Sequence, residues 1–169
     1  RLEKSRILIL GSGAVAETTG QALNSRGSPR ITVANRTFEK AAELAHQLKG
    51  SAMDFGDFRA NLDDFDIIIA STSAPGFVIE KRDIQAALRR RPADPMFLID
   101  VAVPRDIDPA VQDLDSVFLY NLDDLSAIAN ENLQSRLAEV DTVKRTFAQR
   151  AWNLWLTVFR RNKLTAFHR

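Results

Sequence analysis

No cysteine occurs among the 169 residues, which excludes a disulfide framework, a thiolate metal site and thiol catalysis by this chain. Histidine is scarce too: His46 and His168 are the 2 present, too few for a His-rich metal cluster. Neither charge sign dominates, since 23 Lys and Arg stand against 22 Asp and Glu for a net charge of +1. Whole-molecule electrostatics therefore argue for neither a nucleic acid nor a membrane partner. No apolar run approaches the roughly 18 residues of a membrane span, and no secretory leader pattern opens the chain. A cytoplasmic setting, with no membrane partner, is the expectation. The chain starts at Arg1 without a methionine, so it reads as a piece of a longer protein. The rest is ordinary for one globular domain with an appendage: 45% hydrophobic, 27% charged, 7 Gly and 6 Pro, enough to bury a core.

Strands and helices alternate along the first two thirds. Ile7-Leu8-Ile9-Leu10 is a short continuous apolar run, as expected of a strand buried on both faces. A helix is predicted from Ala14 to Arg26, closed by Gly27. Ile31-Thr32-Val33-Ala34 is β-branched and reads as the second strand. The next helix is capped by Thr37, with Lys40 in place of the acid of a capping box, and is expected to run to Lys49 and close at Gly50. Further strands are placed at residues 51–53, 66–70, 96–101 and 117–120, a short helix or turn at 61–65 and a helix at 80–91. Such repeated units imply an α/β fold: a Rossmann-like, doubly wound parallel sheet with right-handed crossovers. From Leu125 to Phe159 there is no Gly or Pro, and apolar residues recur every three or four positions. That pattern predicts one long C-terminal helix of about 35 residues and about 50 Å. Residues 1–124 are thus expected to form a nucleotide-binding domain and residues 125–169 a helical arm leading to a dimerisation region.

Gly11-Ser12-Gly13-Ala14-Val15-Ala16 fits the G-x-G-x-x-G/A dinucleotide pattern and lies between a buried strand and a helix. The first glycine permits the tight turn, the second leaves room for pyrophosphate, and the small Ala16 lets helix and strand approach. At the end of the second strand, where NAD enzymes usually carry an acid, stands Asn35-Arg36-Thr37. No carboxylate there repels a 2′-phosphate, and Arg36 is able to pair with one or to stack on adenine, so NADP(H) is the expected cofactor. Ser71-Thr72-Ser73-Ala74-Pro75-Gly76 follows the fourth strand, at the edge where open sheets bind ligands. Its small residues suit the nicotinamide half; a plain turn is the other reading. Asp100, Asp106 and Asp108 lie just past the fifth strand, where carboxylates are able to orient a bound group; Asp106 and Asp108 equally read as turn-forming acids flanking Pro109. Arg105 between them meets cofactor, substrate or another domain, or pairs with a neighbouring aspartate.

Ile99-Asp100-Val101-Ala102-Val103-Pro104-Arg105-Asp106-Ile107-Asp108-Pro109 resembles the signature stretch of the glutamyl-tRNA reductase family. The segments from Ile31 to Thr37, Phe118 to Leu125 and Asn132 to Arg136 extend the resemblance over most of the chain. It implies an NADPH-binding Rossmann-like domain and part of a long spinal helix. In that family a cysteine on a separate catalytic domain takes glutamate from glutamyl-tRNA as a thioester. NADPH reduces it to glutamate-1-semialdehyde for tetrapyrrole and 5-aminolevulinate synthesis. The resemblance also implies a homodimer and, as a partner, glutamate-1-semialdehyde aminomutase. No catalytic residue transfers to a chain without cysteine, and the piece alone is expected to be inactive. Val15 stands where the family often has Met, Ser73 where Gly is frequent and Asn121 where Asp is common.

Phe147, Trp152, Trp155 and Phe159 gather late in the arm among Lys144, Arg145, Arg150, Arg160, Arg161, Lys163 and Arg169. A helix apolar on all sides calls for a partner, a second subunit or another domain, and the basic residues suit tRNA or a solvated surface. Two further readings stand beside the reductase: a shikimate-dehydrogenase-like NADP domain, and a non-catalytic nucleotide-binding or dimerisation module.

Overall fold

The computed structural model describes residues 2–27, 30–91, 94–132, 139, 145, 147, 149 and 150. The chain divides into two compact units, Arg1–Leu122 and Asp123–Arg169. The first holds a six-stranded parallel sheet of β1 (Ile7–Leu10), β2 (Ile31–Asn35), β3 (Ser51–Asp54), β4 (Ile67–Ala70), β5 (Met96–Asp100) and β6 (Val117–Asn121). Its strand order is β3-β2-β1-β4-β5-β6, that of a Rossmann-type doubly wound sheet, which reverses direction between β1 and β4.

Every residue of β1 is buried, as its unbroken apolar run requires. Ile7 and Ile9 face one side with Ile31 and Val33, where α1 (Ala14–Ser25) contributes Ala16 and α2 (Phe38–Gln47) contributes Ala41, Leu44 and Ala45. Leu8 and Leu10 face the other, with Ile68, Met96 and Leu98. There a 3-10 segment, Phe58–Asp64, supplies Phe58 and Leu62, and α3 (Lys81–Arg90) supplies Ile84 and Ala87. The side-chain period of two thus sends alternate residues of one strand into two separate cores. Glu80 and Asp83 form the reciprocal cap that starts α3.

Helix α2 ends one residue earlier than its glycine suggests. Gly50 was expected to close it, but Lys49 takes the left-handed position, with φ 55°. The Gly50 N–H reaches back to the Ala45 carbonyl and the Lys49 N–H to that of His46, as in a Schellman motif. Gly50 is demanded for another reason: a Cβ there would lie 2.2 Å from the Ile31 carbonyl oxygen. Because the left-handed region costs a side chain about 1–2 kcal/mol, partly offset by the chain entropy of glycine, Lys49→Gly is expected to stabilise the fold by ~0.5–1 kcal/mol. Chemical denaturation measures it.

Residues 122–132 are helical, directly after β6, as are 139, 145, 147, 149 and 150. The rest of the expected arm, including Trp152, Trp155 and Phe159, lies outside the described residues. Phe147 is described and 74% exposed. Among the described residues no helix is long and apolar enough to cross a membrane.

Candidate functional site

A cleft of about 570 Å³ opens at the carboxyl ends of β1, β2, β3 and β4, where the strand order reverses. Its floor is the glycine turn. Gly11 has φ +105°, and a Cβ there would sit 2.7 Å from the Ser71 carbonyl oxygen, so no side chain fits. Gly13 precedes α1 in extended backbone; no side chain caps that helix, and a Cβ at Gly13 would meet nothing within 4 Å. The first-turn N–H groups of α1 therefore lack a side-chain cap beside open space, the arrangement that receives a phosphate. Ser12 lines the cleft with the two glycines. Ala14 and Val15 are exposed and lie outside the lining, so their side chains do not shape it. Ala16 is buried, and the close helix packing extends one turn further to Gly20, where a Cβ would fall 2.4 Å from Leu48.

One wall comes from the loop after β2. Asn35 points its amide into the turn, donating to the Thr37 carbonyl at 3.0 Å, and so shapes the loop. Arg36 is exposed at the cleft; Thr37 is the residue before α2, and its hydroxyl makes no capping bond. Two further residues line the cleft that the sequence does not mark: Lys40, in the first turn of α2, and Phe55, just past β3. Asn35 and Asp54 are in register, so the next residues, Arg36 and Phe55, reach the same edge. Phe55 also packs on Phe58 with ring centres 5.0 Å apart.

The opposite wall is the loop after β4. Ser71 bonds the Leu10 carbonyl through both its N–H, at 2.9 Å, and its hydroxyl, at 3.2 Å. Thr72 donates its N–H and its hydroxyl to the two oxygens of Asp106, each at 2.6 Å. Its hydroxyl oxygen accepts the Ala74 N–H at 3.1 Å. Ser73 is exposed and lines the cleft; Ala74 does not, and packs against the core beneath.

The acids after β5 turn inward. Asp100 accepts N–H groups from Ala102, Asp106 and Ile107, and Asp108 caps the short Pro109–Asp113 turn through Ala110. Burial pushes the Asp106 carboxyl above the ordinary aspartate range; the Thr72 bonds oppose this, repulsion from Asp100 adds to it and the Arg36 charge counters it. Arg105 is exposed and has no ion pair among the described residues. The lining carries two cations, hydroxyls, an amide and one aromatic ring, with no carboxylate, imidazole or thiol. This is chemistry for holding an anionic nucleotide. Among the described residues no group of acids and histidines is set to hold a metal ion.

The family model described as shikimate / quinate 5-dehydrogenase matches residues 1–128. A glutamyl-tRNA reductase of Priestia megaterium is 43% identical over 143 residues, covering 85% of this chain and 32% of the relative. One from Nitratidesulfovibrio vulgaris strain DP4 is 48% identical over 138 residues, covering 82% and 31%. The solved glutamyl-tRNA reductase of Methanopyrus kandleri superposes with a TM-score of 0.78 at 37% identity, over 85% of this chain and 36% of its own. The chain spans about a third of the length of the curated relatives it matches.

Proposed function

Since the chain belongs to the shikimate / quinate 5-dehydrogenase family, we propose that its cleft binds NADP(H) and that it is the nucleotide-binding part of an NADPH-dependent glutamyl-tRNA reductase. The observation that carries the cofactor is a pair of cations, one just past the end of β2 and one in the first turn of α2. Arg36 and Lys40 line the cleft, and no carboxylate lines it with them. A 2′-phosphate placed there meets a guanidinium and an ammonium. Gly11 and Gly13 leave the pyrophosphate its space, α1 offers it backbone N–H groups, and Phe55, on the same edge as Arg36, offers the adenine an apolar face. The wall at Ser71, Thr72 and Ser73 receives the nicotinamide half.

The reductase assignment rests on its relatives' names and on the sequence resemblance, which bring glutamyl-tRNA as substrate of the whole enzyme. The bound cofactor would supply hydride; the residues of this chain bind and orient it and contribute no nucleophile. NADPH is expected to bind more tightly than NADH, and Arg36→Ala to narrow that preference by about tenfold or more, the worth of a charge-assisted hydrogen bond. Fluorescence titration of both nucleotides checks this, and equal affinities in the wild type sink the 2′-phosphate reading. The family also favours a second reading, a shikimate-type dehydrogenase domain. A chimera carrying this chain in place of the matching segment of the Priestia megaterium relative separates the two. It is expected to retain glutamyl-tRNA-dependent NADPH oxidation and to show no shikimate-dependent NADP+ reduction.

A further inference from the structure

Thr72 has one hydroxyl proton and two lone pairs to place. The proton goes to Asp106 Oδ1 and one lone pair takes the Ala74 N–H. The second lone pair is left over, on a residue that lines the cleft. Asp106 Oδ2 is occupied by the Thr72 N–H, and its own backbone is tied on both sides: its N–H donates to Asp100, and its carbonyl accepts from Val78 and Ile79. The side chain is fully buried.

We propose that ionised Asp106 is a positioning residue: it fixes Thr72 as a hydrogen-bond acceptor toward the cleft, and so orients a donor on the nicotinamide riboside of the bound nucleotide. The inference rests on the nucleotide reading above. The polarity follows from the carboxylate. With both oxygens ionised, Asp106 only accepts, and Thr72 must donate to it from hydroxyl and N–H alike. A proton taken up from solvent goes to Oδ1, because Oδ2 already faces an N–H. The carboxylic acid then donates to Thr72 Oγ1, and the threonine proton swings out. Thr72 now offers the cleft a donor where it had offered an acceptor, and a ligand donor meets another donor.

The charged groups facing Asp106 are Asp100, from the end of β5, and Arg36, from the loop after β2. The segment before α3 meets it through backbone N–H groups. Burial and Asp100 raise its pKa, so the acceptor state is lost as pH falls through a value above the usual aspartate range. A raised folded-state pKa also means that the ionised side chain weakens the fold above that value. Removing its charge is therefore expected to leave thermal stability at pH 8 no lower than in the wild type.

The test is calorimetric titration of the full chain with NADP+ from pH 5.5 to 8.5. The second ionisation of the 2′-phosphate, near pH 6, contributes to every profile and cancels in comparisons between variants. Relative to Asp106→Asn, wild type is expected to bind about tenfold more tightly at pH 8 and to lose that advantage on acidification. Thr72→Val, which keeps the buried carboxylate, is expected to show the same loss and the same missing pH component; it decides the matter if Asp106→Asn does not fold. Profiles of both variants parallel and equal to wild type overturn the inference. So does a loss of affinity that accompanies a lower melting temperature and is the same at every pH, which marks a structural prop. Titration with the 3-acetylpyridine analogue, which lacks the carboxamide N–H, tells the two donors apart. A penalty for the analogue that Thr72→Val abolishes assigns the contact to the carboxamide, and an unchanged penalty assigns it to a ribose hydroxyl. Wild type that binds no nicotinamide nucleotide at any pH overturns the nucleotide reading itself, and the inference with it.

Discussion

Gly11→Ala is expected to cost about 3 kcal/mol of folding stability and to abolish nucleotide binding. Two independent penalties combine. The backbone at Gly11 has φ +105°, where a side chain is strained, and the new methyl would lie 2.7 Å from the Ser71 carbonyl oxygen. That oxygen cannot step aside cheaply. Ser71 is held by its N–H to the Leu10 carbonyl, and the strands on either side are in parallel register at Leu10 and Ala70. Relief would have to come from prying apart β1 and β4, the central pair of the sheet. Gly13→Ala is the informative partner. Gly13 has φ −80° and an open space above it, so alanine there should fold, at the cost of about 0.5–1 kcal/mol for a poorer N-cap residue. Its methyl, however, occupies the volume that a pyrophosphate needs. Urea denaturation and NADPH titration of the two proteins are thus expected to separate: the first variant loses both, the second chiefly binding. A Gly11→Ala protein as stable as wild type would show that the turn tolerates a side chain and that the Ser71 approach is not restrictive.

The two glycines were legible because their requirement is local: strand, turn and helix follow one another within ten residues. The same holds for β1, whose burial on both faces follows from four consecutive apolar residues, and for Asn35, Arg36 and Thr37, whose position follows from the end of a β-branched run. Lys40 was visible only as a missing capping acid. Its part in the cleft depends on the first turn of α2 bringing it beside Arg36. Phe55 gave less signal still, because β3 has no buried residue and thus no apolar run to mark it; the β2–β3 register carries it to the site. From sequence Gly50 reads as a helix stop, a local role, whereas its demand comes from the Ile31 carbonyl of a neighbouring strand. The acids after β5 show the limit most clearly. Asp100 and Asp106 sit where a ligand-orienting carboxylate would sit, and no periodicity tells whether such a side chain turns out to the cleft or in toward backbone N–H groups. The donors that decide it come from residues 72 and 102 to 107, brought together by the crossing of two loops. Arg91 is a similar case: it is buried and bonded to the Phe65 and Pro95 carbonyls and to Asp66, though arginine at a helix end ordinarily reads as a solvated cation.

Asp100→Ala should be the second severe change, at about 4 kcal/mol, and Asp100→Asn should cost about half as much. Asp100 is 3% exposed and accepts three backbone N–H groups: Ala102 at 3.1 Å on Oδ1, and Asp106 and Ile107 at 3.0 Å on Oδ2. Alanine leaves all three donors without an acceptor in a place that water does not readily reach. Asparagine can turn its single oxygen to the Asp106 and Ile107 pair, but its amide group then confronts the Ala102 N–H, donor against donor. The damage passes to the cleft, because the loop that Asp100 holds carries Asp106, and Asp106 holds Thr72. The Asn variant has a second consequence of definite sign. Repulsion from Asp100 helps to raise the Asp106 pKa, so neutralising Asp100 lowers it. The pH at which nucleotide affinity falls should then shift downward, even as the protein becomes less stable. Since the two acids share a backbone bond, Asp100→Asn combined with Asp106→Asn is expected to be non-additive in a double-mutant cycle. Independent, additive effects would show that Asp100 braces the loop without reaching the cleft.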